Sequence, residues 1–547
     1  MSVGSSQNMA QGDFPYPSRR VPLIAARGVV AASQPLAAQA GLSMLQRGGN
    51  AVDAAIASAV ALTVLEPIAN GIGGDAFALV WDGNQLHGLN GSGRAPLAHS
   101  LDLFASLGLR EMPNRGWLPV TVPGAPAAWR ELHGRFGKLP FEVLFEPAIS
   151  YAEEGFPVAP EVAEVWSEVA QIYAAGNPGA DVRGWADTFA PDGRVPHAGS
   201  VWSLPGHART LRELAETGVE SFYRGKLAVR IAAFAEATGG YLTRADLAAH
   251  TSTWVKPIHT SYRGHEIWEI PPNGQGIAAL LALDILEGFD LARYPRESAD
   301  SYHLQIEAMK LAFADAQRYV SDPEHSSIPV SGLLDKSYAA GRRALIGERA
   351  LLPSAGAPLP GGTVYLCAAD RDGMMVSFIQ SNFRGWLLGF GSGIVVPDTG
   401  IALHSRGTGF SLEAGHPNVV APGKRPLHTI VPAFMTRQGK AVGPFGIMGG
   451  NMQPQGHVQL VVNQVDYRMN PQASLDAPRW QWQQGMQVAL EVGVPQHVMH
   501  GLDARGHLVS SHHKVYTFGK GQIIRRLDSG AYIAGSEPRS DGHAVGY

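Results

Sequence analysis

The junction Gly361-Gly362-Thr363 is where this chain could do chemistry. The segment ALLPSAGAPLPGG (350–362) holds three prolines and three glycines in 13 residues, with no charge and no amphipathic period. It reads as an extended, exposed loop, and it runs straight into TVYLCAA, an apolar run that reads as a strand. If the Gly362–Thr363 bond is cut, Thr363 gains a free α-amino group. The ordinary pKa of that group, about 7.7–8.0, lets it act as base for the residue's own hydroxyl. Nucleophile and base are then one residue. The β-branch limits χ1 and pre-aims the hydroxyl, and the two glycines let the preceding backbone strain toward attack on its own carbonyl. The residues alone leave a plainer reading open, in which Thr363 is simply a β-branched residue opening a strand.

Other signatures of catalysis do not appear. The chain has no GxSxG elbow, no P-loop and no HExxH, and NGIGGD (70–75) lacks the third glycine of a dinucleotide fingerprint. Its one cysteine, Cys367, sits mid-strand as an inert thiol and allows no intramolecular disulfide or cysteine-based zinc site. The twenty histidines form no spaced ligand sets, and His512-His513 reads as a solvated turn, so no metal is expected. With 43 Lys and Arg against 47 Asp and Glu, a net charge of −4 and no basic stripe, nucleic acid and acidic membranes are not expected partners. At 547 residues, 45% hydrophobic and 16% charged, the chain can fill a large core, as two to four domains or one interlocked unit. The N-terminal stretch through Arg20 lacks a basic region followed by an apolar run, and Ala54–Leu65 is too short to span a bilayer. A soluble, cytoplasmic protein is the expectation.

Periodicity indicates the elements that must position the junction. From Pro35, PLAAQAGLSMLQRGG sets Leu36, Ala40 and Met44 on one face of a helix that Gly48-Gly49 stops. Asn50 or Asp53 can cap a second helix, from about Ala54 to Val64, which is apolar all round and so belongs inside a layer. NGIGGD then turns a tight corner into the strand FALVW. Residues 134–338 read as helical scaffold, with proline stops at Pro157, Pro257, Pro271-Pro272 and Pro323. Beyond the junction the period changes: TVYLCAA, the turn Asp370–Gly373 and MMVSFIQ read as one hairpin, and TIVPAFMT, RQGK and AVGPFGIM as another.

Several segments resemble one family. GGNAVDAAIASAVALTVLEP with GIGGDAFALV (48–80), PPNGQG (271–276), EAMKLAFADA (307–316) with Asp322-Pro323, and AGSEPRSDG (534–542) together resemble the γ-glutamyltransferase family of N-terminal nucleophile hydrolases. The resemblance runs in order from about residue 24 to the C-terminus. It implies a four-layer αββα sandwich, an α+β fold made as one interlocked domain. The precursor would be cut by its own Thr363 into a large piece, 1–362, and a small piece, 363–547, with Gly362 and Thr363 flanking the cut. It further implies that Ser381 supplies a second hydroxyl beside the nucleophile and that the N–H groups of Gly449-Gly450 receive the oxyanion, a task for residues that let the chain approach closely. Arg94, in GSGRAP, is implied to grip a substrate carboxylate. Neither metal nor organic cofactor is implied.

The departures from the family pattern narrow the expectation. Members that handle glutathione carry a paired aspartate before a Phe-Ser to hold the substrate's α-ammonium, whereas this chain reads Arg406-Gly407-Thr408-Gly409-Phe410-Ser411. Adjacent serines of those members are replaced by His428-Thr429, and 410–426 is short for a pocket lid. These features, with QSNF, GFGSGIVVPDTGIAL and PGKRPLHT, resemble a branch that includes oxamate amidohydrolase and some cephalosporin acylases, whose substrates keep a carboxylate but need no α-ammonium. Asn382, His428 and Thr429 are accordingly expected at the substrate, and RGWLL (384–388) reads as a small insertion whose Trp386 and Leu387 pack. The expected activity is cleavage of the amide of a small carboxylate-bearing substrate through a Thr363 acyl-enzyme. A true γ-glutamyltransferase or glutathione hydrolase, and an uncleaved binding scaffold, are the alternatives. The expected partners are the amide substrate and the two pieces of one precursor, with a homodimer of the processed pair left open.

Overall fold

The computed structural model of the chain describes residues 20–175, 183–352, 362–383, 389–512 and 515–547. The expected loop 353–361, the insertion 384–388 and His513 lie outside the described residues. Two seven-stranded sheets dominate. One is ordered 23–25, 532–536, 520–526, 440–448, 433–437, 265–269, 258–262; the other 543–546, 28–32, 362–370, 375–383, 75–81, 86–91, 253–255. All neighbours in both sheets pair antiparallel. Each sheet mixes strands from before and after Thr363, so neither flanking part of the chain owns a sheet.

The sheets stack face to face, with Trp81 of one lying over Phe434 of the other at a centroid distance of 6.1 Å. Helices Pro35–Gln46 and Ala51–Leu65 cover the outer face of the sheet that holds Thr363. Helices Ile277–Leu286 and Met452–Val465 cover the other sheet. This is the αββα sandwich. The second helix is buried at all of its positions and starts at Ala51, earlier than its apolar run suggests, because Asn50 and Asp53 form a reciprocal capping box. Among the described residues no helix is long and apolar enough to cross a membrane.

Two expectations need correction. The 134–338 region is not helical scaffold alone: it supplies the edge strands Thr253–Val255 and Ile258–Tyr262, one to each sheet, and the strand His265–Glu269 next to the latter. The second hairpin begins at Ala433 rather than Thr429. Pro432 has no N–H for a ladder, and the residues before it are bonded elsewhere: His428 donates its backbone N–H to Asn273 O at 2.8 Å, and Val431 to Gln453 Oε1 at 3.0 Å. The first hairpin, Gly362–Asp370 with Met375–Phe383, forms as expected. Cys367 is wholly buried there, and burial pushes its thiol well above the usual range, so it stays protonated.

The two sheets make close contact behind the start of this hairpin, where the Tyr365 ring lies on Gly446 of the opposing sheet. A Cβ added there would come within 2.5 Å of the ring. The ring is also held at its far end, its hydroxyl 2.8 Å from Ser377 Oγ. We therefore expect Gly446→Ala to cost about 1–3 kcal/mol through overpacking, read as a lowered urea midpoint at unchanged slope; an unchanged midpoint would contradict this packing.

Candidate active site

Thr363 is the second residue of the strand Gly362–Asp370 and is 2% exposed. Its pairing with the neighbouring strand is irregular: Gly362 faces Phe383 while Val364 faces Gln380, so Thr363 stands alone opposite Ser381 and Asn382. The extra residue of this bulge belongs to the Met375–Phe383 strand, which ends on a positive φ of 76° at Phe383. Thr363 Oγ1 donates to Ser381 Oγ at 3.3 Å and accepts from Gln453 Nε2 at 3.4 Å. Ser381 Oγ also accepts the N–H of Phe383 at 2.7 Å.

A second element closes on the hydroxyl from the opposing sheet. Strand Lys440–Met448 ends at Gly449 and Gly450, whose φ of 127° and 59° are glycine territory, and the helix Met452–Val465 begins directly after them. Gln453, in the first turn of that helix, reaches Thr363 with its amide nitrogen while its oxygen is fixed by Val431 N. Gln275, from PPNGQG, donates to Thr429 O at 2.7 Å and to Gly450 O at 3.0 Å. One hydroxyl pair, one glycine corner and the 428–431 segment are thus bound into a single site.

Behind it lies a buried ionic network. Asp75, the last residue of NGIGGD, takes Arg406 Nε at 2.9 Å and Nη2 at 3.2 Å, and His428 Nε2 at 2.5 Å. Arg406 Nη1 continues to Thr429 Oγ1 at 2.8 Å, and the guanidinium lies 4.3 Å from the centroid of the Phe383 ring. Burial by itself would raise the Asp75 carboxyl, but Arg406, with His428 and His404, outweighs it and holds the group well below the usual carboxylate range. Burial and the Arg406 charge push the His428 imidazole down to about 4. Its Nδ1 accepts from Ile430 N at 3.4 Å, which fits a neutral ring donating through Nε2. The glycines of the corner permit the close approach: a Cβ on Gly74 would lie 2.7 Å from Ser381 O, and one on Gly73 2.4 Å from Ala402 O.

Of the residues singled out in the sequence, the structure brings together Thr363, Ser381, Gly449, Gly450 and Thr429. His428 stands with them but turns its ring inward to Asp75. Asn382 is 1% exposed, and both polar atoms of its side chain are without a hydrogen-bond partner among the described residues. Arg94 stands apart, at the opposite end of the 424–429 run. Its Nη2 bonds both Glu324 oxygens at 2.7 and 2.9 Å, its Nη1 bonds Gly423 O at 3.0 Å, and Asp322 is 3.6 Å away.

Gln453, Gln275 and Asp75 were missed as site residues, although Asp75 and Gln275 lie in glycine-containing motifs quoted for the resemblance and Gln453 is three positions after Gly450. Sequence spacing also hid one potential ligand cluster, His303, Glu307 and His507, whose ligand atoms lie within 4.8 Å of one another. Lys310 Nζ already sits 2.7 Å from Glu307 Oε1, and the two imidazoles bond each other at 2.9 Å, so a metal would have to displace an ammonium. What the cluster does hold is backbone: Glu307 accepts Leu351 N at 2.8 Å and Lys310 donates to Leu351 O at 3.0 Å, tethering the chain ahead of the junction.

The network sets a pH dependence. His428 protonates near 6.5 in the unfolded chain but only near 4 when folded, so its contribution to stability is present above pH 6.5 and is lost as pH falls toward 4, by roughly 1.4 kcal/mol per unit. It is one of several buried imidazoles, so the variant is compared with the parent: His428→Gln should flatten the stability–pH slope between pH 6.5 and 4 by up to that amount in urea titrations. An unchanged slope would show that the ring is not held neutral.

Comparison with known proteins agrees with this geometry. The family model described as gamma-glutamyltranspeptidase matches residues 37–547. A glutathione hydrolase-like proenzyme, YwrD, of Bacillus subtilis is 35% identical over 96% of this chain and 99% of its own length. The oxamate amidohydrolase proenzyme of Klebsiella pneumoniae is 34% identical over 96% and 99%. The crystal structure of cephalosporin acylase from Bacillus halodurans superposes with a TM-score of 0.94 at 52% identity, covering 98% of both chains. The chain belongs to the γ-glutamyltranspeptidase family of N-terminal nucleophile hydrolases.

Proposed function

We propose that this chain is a self-processing amidohydrolase whose nucleophile is Thr363. In the precursor, Thr363 Oγ attacks the Gly362 carbonyl carbon, the C–N bond breaks as the nitrogen takes a proton, and water hydrolyses the resulting ester. This leaves a carboxylate on Gly362 and a free amine on Thr363. In turnover the amine takes the proton of Thr363 Oγ as that oxygen attacks an amide carbonyl, then returns it to the leaving nitrogen. Gly449 and Gly450 N–H receive the oxyanion, aided by the N-terminal end of the helix that follows. Water resolves the acyl-enzyme. The pieces 1–362 and 363–547 stay together because each sheet contains strands of both.

The observation that carries this reading is the Thr363 hydroxyl itself: buried, and hydrogen-bonded to Ser381 and to Gln453, whose helix follows a positive-φ glycine pair. The substrate is proposed to be a small carboxylate-bearing amide without an α-ammonium requirement, in keeping with the oxamate amidohydrolase and acylase names of relatives. The electrostatics support this. Just before Phe410-Ser411, where an ammonium-binding acid was sought, the chain has Thr408-Gly409, and the nearby Asp75 is consumed by the Arg406 guanidinium.

The experiment follows amide turnover by Thr363→Ala, offered oxamate and a γ-glutamyl anilide in parallel. Loss of at least about 10³-fold is expected, with the parent preferring oxamate-type amides. Undiminished turnover would overturn the nucleophile, and a preference for the γ-glutamyl anilide would overturn the substrate class.

A further inference from the structure

Besides Ser381, the Thr363 hydroxyl has a second neighbour, and what that neighbour can do is decided by the groups that hold it. Gln453 is wholly buried. Its Oε1 accepts the N–H of Val431 at 3.0 Å, so the amide is oriented with Nε2 toward Thr363 Oγ1, at 3.4 Å. In that orientation the side chain can only donate to Oγ1. Ser381 Oγ, by contrast, accepts both the Thr363 hydroxyl at 3.3 Å and Phe383 N at 2.7 Å. Ser381 therefore takes the proton side of Oγ1, and Gln453 addresses a lone pair. The backbone around this donor is held too: Gln453 N donates to Gly450 O at 3.2 Å and Met452 N to Gly449 O at 3.0 Å. The amide is thus built into the same turn as the glycine pair. Catalytic contacts of this length tighten once charge develops on the acceptor.

Charge develops on Oγ when the acyl group is released. Water attacks the acyl carbon and gives a proton to the α-amine of Thr363. The C–Oγ bond then breaks with its electron pair left on Oγ, which takes a proton back from the α-ammonium. A threonine alkoxide is a poor leaving group, and a fixed N–H aimed at it stabilises charge that exists only in passage through this step. During capture of the acyl group the same donor eases loss of the hydroxyl proton but blunts the nucleophile, so the two effects oppose each other. The amide keeps its own protons throughout.

We propose that Gln453 is a catalytic residue that donates from Nε2 to Thr363 Oγ1 as that oxygen leaves the acyl group. The role rests on the reading of Thr363 as nucleophile, and it extends to the ester formed with Gly362 during self-cleavage.

The test uses p-nitrophenyl acetate on the processed protein, since this ester acylates a nucleophile whatever amide the enzyme prefers. The burst of p-nitrophenolate reads capture, and loss of the acetyl mass from the piece that begins at Thr363 reads release. For Gln453→Met, release should slow about 10- to 100-fold while the burst rate stays within a few-fold of the parent. Gln453→Glu keeps an acceptor for Val431 N, but its other oxygen can donate only when protonated. Its release rate relative to the parent should therefore be low at about pH 8 and recover toward about pH 5, a reversal that a merely structural role would not produce. A Gln453→Met precursor that stays uncut should be opened by hydroxylamine at its stalled Gly362 ester. Release at the parent's rate in Gln453→Met, equal losses in burst and release, a Gln453→Glu deficit indifferent to pH, or an uncut precursor that resists hydroxylamine would each overturn the role. The two readings fail separately. If the parent is acetylated somewhere other than Thr363, the nucleophile falls and Gln453 with it. If Thr363 is acetylated and Gln453→Met releases the acetyl group as the parent does, only the role of Gln453 falls. If release depends on Gln453 but no amide is hydrolysed, the amidohydrolase reading falls and Gln453 stands.

Discussion

Removing a carboxylate from water costs several kcal/mol, and Asp75 has no solvent exposure. That cost is met by a two-point contact with Arg406 and a hydrogen bond from His428. Because the three residues come from separate loops and strands, satisfying one charge also fixes where those segments lie. Arg406 then orients Thr429, Thr429 O meets Gln275, and Gln275 meets Gly450. Ser381 lies directly across from Asp75 in the sheet. The reactive corner is thus referenced to a buried ion pair rather than to surface loops, as a site needing accurate geometry requires.

The same economy governs the sheets. The strand that begins at Gly362 lies in the middle of its sheet, paired on both sides and covered on both faces, so Thr363 starts a strand that cannot easily shift. A one-residue bulge in the neighbouring strand interrupts that otherwise regular ladder opposite Thr363 and sets Ser381 and Asn382 against it. Antiparallel strands drawn from both sides of the junction hold the two flanking parts of the chain in one fold, which lets a backbone cut at the junction leave the sandwich standing.

Much of this was legible locally. The helix stopped by Gly48-Gly49, the apolar helix after Asn50 and the hairpin following Thr363 are all written in periods of 3.6 or 2 residues, and a threonine behind two glycines is visible as a chemical possibility. The partners of Asp75 were not legible, since Arg406 lies 331 positions away and only the folded sheet brings them together. Arg94, marked by the resemblance as a carboxylate binder, bonds through Nη2 to a glutamate 230 positions on, a pairing that spacing does not reveal. Thr429 looked like the start of a strand, but competition from Gln453 and Asn273 for the backbone of 428–431 diverted it to the site. Periodicity cannot report such long-range competition for hydrogen bonds.

The claim on which all of this turns is that the chain cuts itself before Thr363. N-terminal sequencing of the purified protein, separated on a denaturing gel, tests it most directly. The account predicts two bands, the smaller beginning Thr-Val-Tyr-Leu-Cys. A single uncut chain of 547 residues, or a second band starting anywhere else, would contradict it.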